Sequence, residues 1–193
     1  MTRTRTGRLA AAATVVVTVL ALGACGTGGT MHGHGMATGR SGATSGGMMT
    51  ADEADYLATM IAHHEEAVTA AESLSRSDRP EMRRLGRSIR RGQSRQIVLM
   101  ARWVDRWYPD ATPPRDYVPM MDDLTSLSGD DLDRTFLTEM VHHHMMAVMM
   151  SRRLLMGGRV RHPRVAVLAR SIVVEQTAEM RQMREWLGAW HLS

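Results

Sequence analysis

Phe136-Leu-Thr-Glu-Met-Val-His-His-His-Met-Met-Ala-Val-Met-Met-Ser-Arg-Arg-Leu-Leu155 contains no Gly or Pro and reads as a single helix. Phe136, Met140, His143, Ala147, Met150 and Leu154 recur at steps of four and three, the buried stripe of an amphipathic helix. Two features set this stripe apart. His143, with His144 beside it, stands where a leucine is expected, and the helix is crowded with methionine at Met140, Met145, Met146, Met149 and Met150. Both side chains are ligands for soft metals. The plainer reading of a Met stripe is core packing, because Met fills irregular gaps.

The stretch is one half of an internal repeat. Met60, His63, His64, Ala67 and Val68 return as Met140, His143, His144, Ala147 and Val148, an offset of 80 residues. Downstream, Pro80, Leu85, Arg87, Ser88, Ile89, Gln93, Met100 and Trp103 return as Pro163, Leu168, Arg170, Ser171, Ile172, Gln176, Met183 and Trp186, an offset of 83. Each copy is a helical hairpin with one apolar face. Neither buries that face alone, so the two pair into an all-α, ferritin-like four-helix bundle built from two repeated hairpins.

Local signals set the boundaries. Thr50-Ala-Asp-Glu53 is a capping-box pattern opening helix one, whose stripe is Tyr56, Met60, His63, Ala67, Ala70 and Leu74. Pro80 and Pro163 suit the first turns of helices two and four. Pro109 stops helix two, Ser128-Gly-Asp-Asp131 launches helix three, and Gly157-Gly158 ends it. Hairpin one then spans 51–108, an ordered crossover 109–129 and hairpin two 130–190, within a bundle domain of 51–193. His162 and His191 fall at element ends and read as surface residues.

These repeated residues resemble the bacterial domain of unknown function 305. Its pattern is Met-x-x-His-His-x-x-Ala in one helix and Gln-x-x-Glu-x-x-x-Met-x-x-Trp-Leu in the next. Hairpin two carries it as Met140, His143, His144, Ala147 and Met150, then Gln176, Glu179, Met183, Trp186 and Leu187. Hairpin one keeps Met60, His63, His64 and Ala67. It departs from the pattern at Gln96, which stands for the Glu, and at Gly92, which stands where Glu175 is in the second copy. The resemblance covers about residues 50–190. It implies an exported ferritin-like bundle, in a family some of whose members are associated with copper or silver binding and tolerance.

The spacing permits a metal site in hairpin two. Leu168, Ile172, Glu175, Glu179 and Trp186 share a stripe, and a carboxylate there is costly unless paired or metal-bound. Glu175 and Glu179 are expected to face His143 and His144, with Met140, Met145, Met180 and Met183 around them. Imidazole plus thioether suits Cu(I), with Ag(I) as its mimic. Glu bonded to the second imidazole nitrogen would instead orient the ligand. Hairpin one offers His63, His64 and Met60 as a weakened copy, because Gly92 and Gln96 bring no charge. Glu139 and His142 suggest the Glu-x-x-His of di-iron bundles. Their counterparts Thr59 and Ala62 argue against a symmetric di-iron site.

The N-terminal 50 residues read differently. Arg3, Arg5 and Arg8 precede the apolar run Leu9–Leu22, which is too short for a comfortable membrane span, and Leu22-Gly-Ala-Cys25 follows. That is the form of a lipoprotein signal over 1–24, with Cys25 lipidated. The alternative is an ordinary secretory signal cut near Ala24, and both readings export the chain. Residues 25–50, rich in Gly, Thr, Ser and Met, read as a flexible tether. Within it, Met31, His32, His34 and Met36 could wrap a soft ion.

Composition narrows the function classes. Setting aside Arg3, Arg5 and Arg8, the net charge falls from +4 to +1, which gives nucleic-acid binding little support. No phosphate loop, nucleophile elbow or Cys-based zinc pattern is present. The expected function is therefore a lipid-anchored copper-binding protein outside the cytoplasm that scavenges, buffers or carries Cu(I), with the membrane and the ion as partners and no organic cofactor. The rivals are a ferritin-like redox enzyme and a structural or partner-binding bundle whose His-Glu pairs only hold helices together.

Overall fold

The computed structural model describes residues 52–111 and 117–192. Four long helices carry the fold: α1 (Glu53–Glu72), α2 (Pro80–Trp107), α3 (Gly129–Met156) and α4 (Pro163–Ala189), with a short 3-10 turn at Ser73–Arg76. Pro80 and Pro163 sit in the first turns of α2 and α4, where a missing N–H costs nothing. Gly158, at φ 62°, turns the chain after α3. The cap of α1 differs from the sequence expectation. Asp52 accepts from Ala54 N (2.8 Å) and Asp55 N (3.0 Å), while Thr50 lies outside the described residues. Aspartate accepts two helix-start N–H groups directly and needs no capping box.

The two hairpins form as the repeat requires. α1 packs along α2 and α3 along α4, and the halves meet chiefly through α1 against α3. Gly86 allows the close approach within hairpin one, where a Cβ would stand 2.8 Å from Ala71 O and 2.9 Å from Leu74 Cβ. α2 and α4 approach each other less closely than these pairs.

The core is split into two apolar clusters by a polar layer. One cluster joins Ala67 of α1 and Leu74 of the 3-10 turn with Leu85, Ile89, Phe136, Met140, Met180 and Met183. The other joins Tyr56, Leu57, Met60, Met100, Trp103, Ala147, Met150, Leu168 and Ile172. Between them, on every helix, the stripe places a buried polar residue: His63 and His64, Gln93, His143 and His144, and Gln176. Every position named for the stripes of helices one and three is buried. On α4 the stripe runs through Gln176, so Glu175 is exposed and Glu179 half-buried. One residue is 100° of helix, enough to take Glu175 out of the core.

The crossover is tied down at its described end. Glu66 of α1 accepts from Met120 N (2.5 Å), Met121 N (2.7 Å) and Tyr117 Oη. Arg76 donates to the carbonyls of Leu124 (2.6 Å) and Leu127 (3.3 Å), and Asp122 N donates to Glu139 (3.0 Å). Arg79 bridges Asp130 (2.6 Å) and the buried Asp133 (2.8 Å) at the start of α3.

Candidate metal-binding centre

The four histidines of the repeat form one cluster. α1 and α3 each present a His-His pair at the level where they cross. The rings of His63 and His143 lie with centroids 3.6 Å apart, tilted by 35°. His64 and His144 flank them, each 6.2 Å from its neighbour in sequence. All four are 0% exposed. The sequence reading placed these residues in two sites, one per hairpin; the fold brings the histidines of both hairpins into one cluster.

Hydrogen bonds fix the tautomers of the outer pair. His64 Nε2 donates to Gln96 Oε1 (2.7 Å), and His144 Nε2 donates to Glu179 Oε2 (2.7 Å). An amide or carboxylate oxygen only accepts, so both Nε2 atoms carry the proton and both Nδ1 atoms keep a lone pair. Gln96 and Glu179 hold equivalent places in the repeat, and a metal-ligating imidazole is typically oriented this way. Gln96 in turn donates to Glu175 (3.0 Å), which also accepts from Ser171 Oγ (2.5 Å). Glu175 thus supports Gln96 from the surface and does not face His143 or His144, as the sequence reading expected.

The inner pair is less satisfied. His143 Nε2 lies 3.3 Å from Glu66 Oε2 but without hydrogen-bond alignment. Six ring nitrogens are buried without a partner: both of His63, both of His143, and Nδ1 of His64 and of His144. Each such orphan costs about 1–3 kcal/mol relative to a satisfied one. A neutral ring carries one proton, so four of the six, one from each histidine, hold a lone pair and are suited to a ligand that accepts it.

Electrostatics keep the rings of His63, His64 and His143 neutral. Burial pushes His63 well below the ordinary imidazole value, and the other three histidines push it further. Burial takes His64 down to about 3, against the partial support of Gln96. Burial also lowers His143, offset in part by Glu66. Burial pushes Glu66 up, but His143, Tyr117 and the amides of Met121 and Met120 outweigh it and bring the carboxyl down to about 2. The site therefore combines neutral imidazoles with a fixed carboxylate at its edge, and Tyr117 Oη, raised by burial and by Glu66, stays a phenol.

The methionines divide. Met60, Met140 and Met183 are fully buried and Met180 nearly so, in the apolar clusters on either side of the histidine layer. Met145, expected among the ligands, is 39% exposed on the outer face of α3, because it sits two residues past His143, on the far side of the helix. As the side chains stand, no three His, Cys, Asp or Glu among the described residues converge to hold a metal. His142 is exposed and Glu139 bonds the crossover, so the di-iron motif is not assembled. Met31, His32, His34, Met36 and Cys25 lie outside the described residues.

His162 corrects another expectation. It is not an ordinary surface residue: its ring stacks on Trp107 at 3.8 Å and its Nδ1 donates to Glu53 (2.6 Å). Glu53, fully buried, also accepts from Arg161 N (2.6 Å), His162 N (3.0 Å) and Tyr108 Oη (2.9 Å). Burial pushes this carboxyl up, yet those bonds hold it below its ordinary value. Sequence reading also passed over Glu66 and Tyr117. A usable signal existed for Glu66, which lies three residues past His63 and so at the edge of the same stripe.

Fold and centre together define a two-hairpin helical bundle around a buried imidazole cluster. Residues 53–187 match the family described as Domain of unknown function (DUF305), and the chain belongs to that family. Among solved structures it is similar to CopM in the Cu(II)-bound form (31% identity, 71% of this chain and 96% of that one, TM-score 0.63). The Cu(I)-bound form of CopM gives 32% identity over 71% and 96% of the chains, TM-score 0.62, and CopM has also been solved with silver. A candidate secreted DUF305 protein from Streptomyces coelicolor is 28% identical over 72% of this chain and 92% of that one, TM-score 0.62. Among curated proteins, none matches the chain.

Proposed function

We propose that this protein is an exported, lipid-anchored binder of Cu(I), and of Ag(I) as its mimic, that scavenges, buffers or transfers the ion. The observation that carries the reading is the set of six unpartnered ring nitrogens in one buried layer. A bundle whose histidines only tied helices together would pair them, as it pairs Glu53 with His162. Neutral rings whose second nitrogen is held by Gln96 or Glu179 are prepared ligands. Thioethers from Met60, Met140, Met180 and Met183 lie in the adjoining clusters and suit a soft ion better than a hard one. The copper- and silver-bound states of CopM support the same choice of ion. The tail residues Met31, His32, His34 and Met36 would add a capture site, and Cys25 the anchor.

A single shared centre makes a distinct prediction. Replacing His63 and His64 with Ala should weaken Cu(I) binding by tenfold or more, about 1.4 kcal/mol. Replacing His143 and His144 should weaken it equally. Competition with a chromophoric Cu(I) chelator measures both, with helical circular dichroism confirming the fold. A loss confined to one pair would restore two separate sites. No loss in either would leave the histidines as structure.

A further inference from the structure

The polar layer continues past the histidines into the seam between α2 and α4. Gln93 and Gln176 occupy equivalent places in the repeat and are 5% and 3% exposed. All four of their amide atoms lack a partner. Two buried amides without a single hydrogen bond are a stability cost that apolar residues would avoid, so they call for water or a ligand. Both line a small cleft of about 30 Å³, together with Gly92, Gln96, Glu175 and Glu179. That volume holds at least one water.

The cleft is placed to reach the centre. Two of its wall residues, Gln96 and Glu179, are the groups that hold His64 Nε2 and His144 Nε2 at 2.7 Å. One hydrogen bond separates the wall from two imidazoles. Glu175, at its exposed side, gives the opening a carboxylate. Gly92 leaves it unobstructed, since a Cβ there would meet nothing within 4 Å. The repeat makes this pointed, because the equivalent residue on α4 is Glu175. At the α1–α3 side the histidines are covered, as Glu66 fastens Tyr117, Met120 and Met121 beside them and Tyr117 lies edge-on to His63 at 6.4 Å.

We infer that the α2–α4 cleft is the port through which a hydrated cation reaches the buried imidazoles. The carboxylates of Glu175 and Glu179 and the carbonyl oxygens of Gln93 and Gln176 replace its water on the way in. Oxygen donors hold a soft ion weakly, which suits a threshold rather than a resting site. The buried amides are kept at a cost to stability because the path must stay polar.

The inference rests on the copper-binding reading, and the test separates the two. In full-length protein with Met31, His32, His34 and Met36 replaced by Ser, Gly92→Leu places a side chain in the opening without disturbing its backbone. Cu(I)-loaded protein is mixed with excess chromophoric chelator and release is timed, while equilibrium competition gives the affinity. Gly92→Leu should slow release tenfold or more and leave the affinity within twofold, because a port changes both rates alike. Gln176→Leu should also slow release while raising the thermal midpoint. A purely structural glutamine would lower that midpoint. Release at the unaltered rate in Gly92→Leu overturns the port alone. So does release that is faster in Tyr117→Ala and unchanged in Gly92→Leu, which would move the path to the crossover side. Failure of the unaltered full-length chain to take up Cu(I) overturns the binding reading itself, and the port with it.

Discussion

The neutrality of the buried imidazoles has a consequence that is measurable without any metal. His63, His64 and His143 have folded pKa values below the ordinary 6.5, His64 at about 3. Below pH 6.5 the unfolded chain takes up protons that the folded chain refuses, so stability falls as the pH drops. The contribution is intact above that value and is lost progressively toward pH 3. Glu66, lowered to about 2, acts in a separate window, since its contribution is lost only as the pH falls from about 4.5 through 2. The urea midpoint of the metal-free protein should therefore be level above pH 7 and decline between pH 6.5 and 5, before carboxylates titrate. His64→Gln should flatten that decline. A midpoint unchanged from pH 7 to 5 would mean that the rings are protonated, or exposed, in the folded state.

At the scale of elements, the centre belongs to neither hairpin. His63 of α1 and His143 of α3 meet only when the halves dock, and both apolar clusters draw on both halves. The docking is reinforced at the ends. Glu53 of α1 receives four hydrogen bonds, three of them from Arg161 and His162 at the α3–α4 turn, and Arg79 of hairpin one holds Asp130 and Asp133 of hairpin two. A hairpin alone would expose its apolar face and strand a buried carboxylate or its partners. Residues 52–111 and 117–193, produced as separate chains, should each lack a cooperative thermal transition and regain one when mixed in equal amounts. Calorimetry of the fragments and of the mixture checks this. A cooperative transition in either fragment alone would show that hairpin to be an independent unit.

At the scale of the whole molecule, much of the bundle was legible because the repeat doubles every signal. Stripes of helices one and three, the prolines opening α2 and α4 and the burial of both His-His pairs all follow from spacing that recurs 80 to 83 residues later, whereas the meeting of the two pairs in one layer does not. What was illegible depends on partners distant in sequence. Glu53 reads as a first-turn charge until His162, 109 residues away, arrives beside it. Glu66 sits at the edge of a stripe, but its partners come from the crossover, 51 to 55 residues further on. Glu175 and Gln176 differ by one residue in register, and only packing decides which turns inward. The N-terminal 50 residues follow a different logic, because there composition alone carries the reading. In the anchor reading the lipid on Cys25 is what retains the exported chain at a membrane, so that residue is indispensable. Cys25→Ser should move the exported protein from the membrane fraction to the soluble one and leave the Cu(I) affinity of the histidine centre unchanged. Fractionation of cells after signal removal measures the first effect and chelator competition the second. If the variant partitions as the unaltered protein does, the leader is an ordinary secretory signal, Cys25 is no anchor, and the tether has nothing to tie.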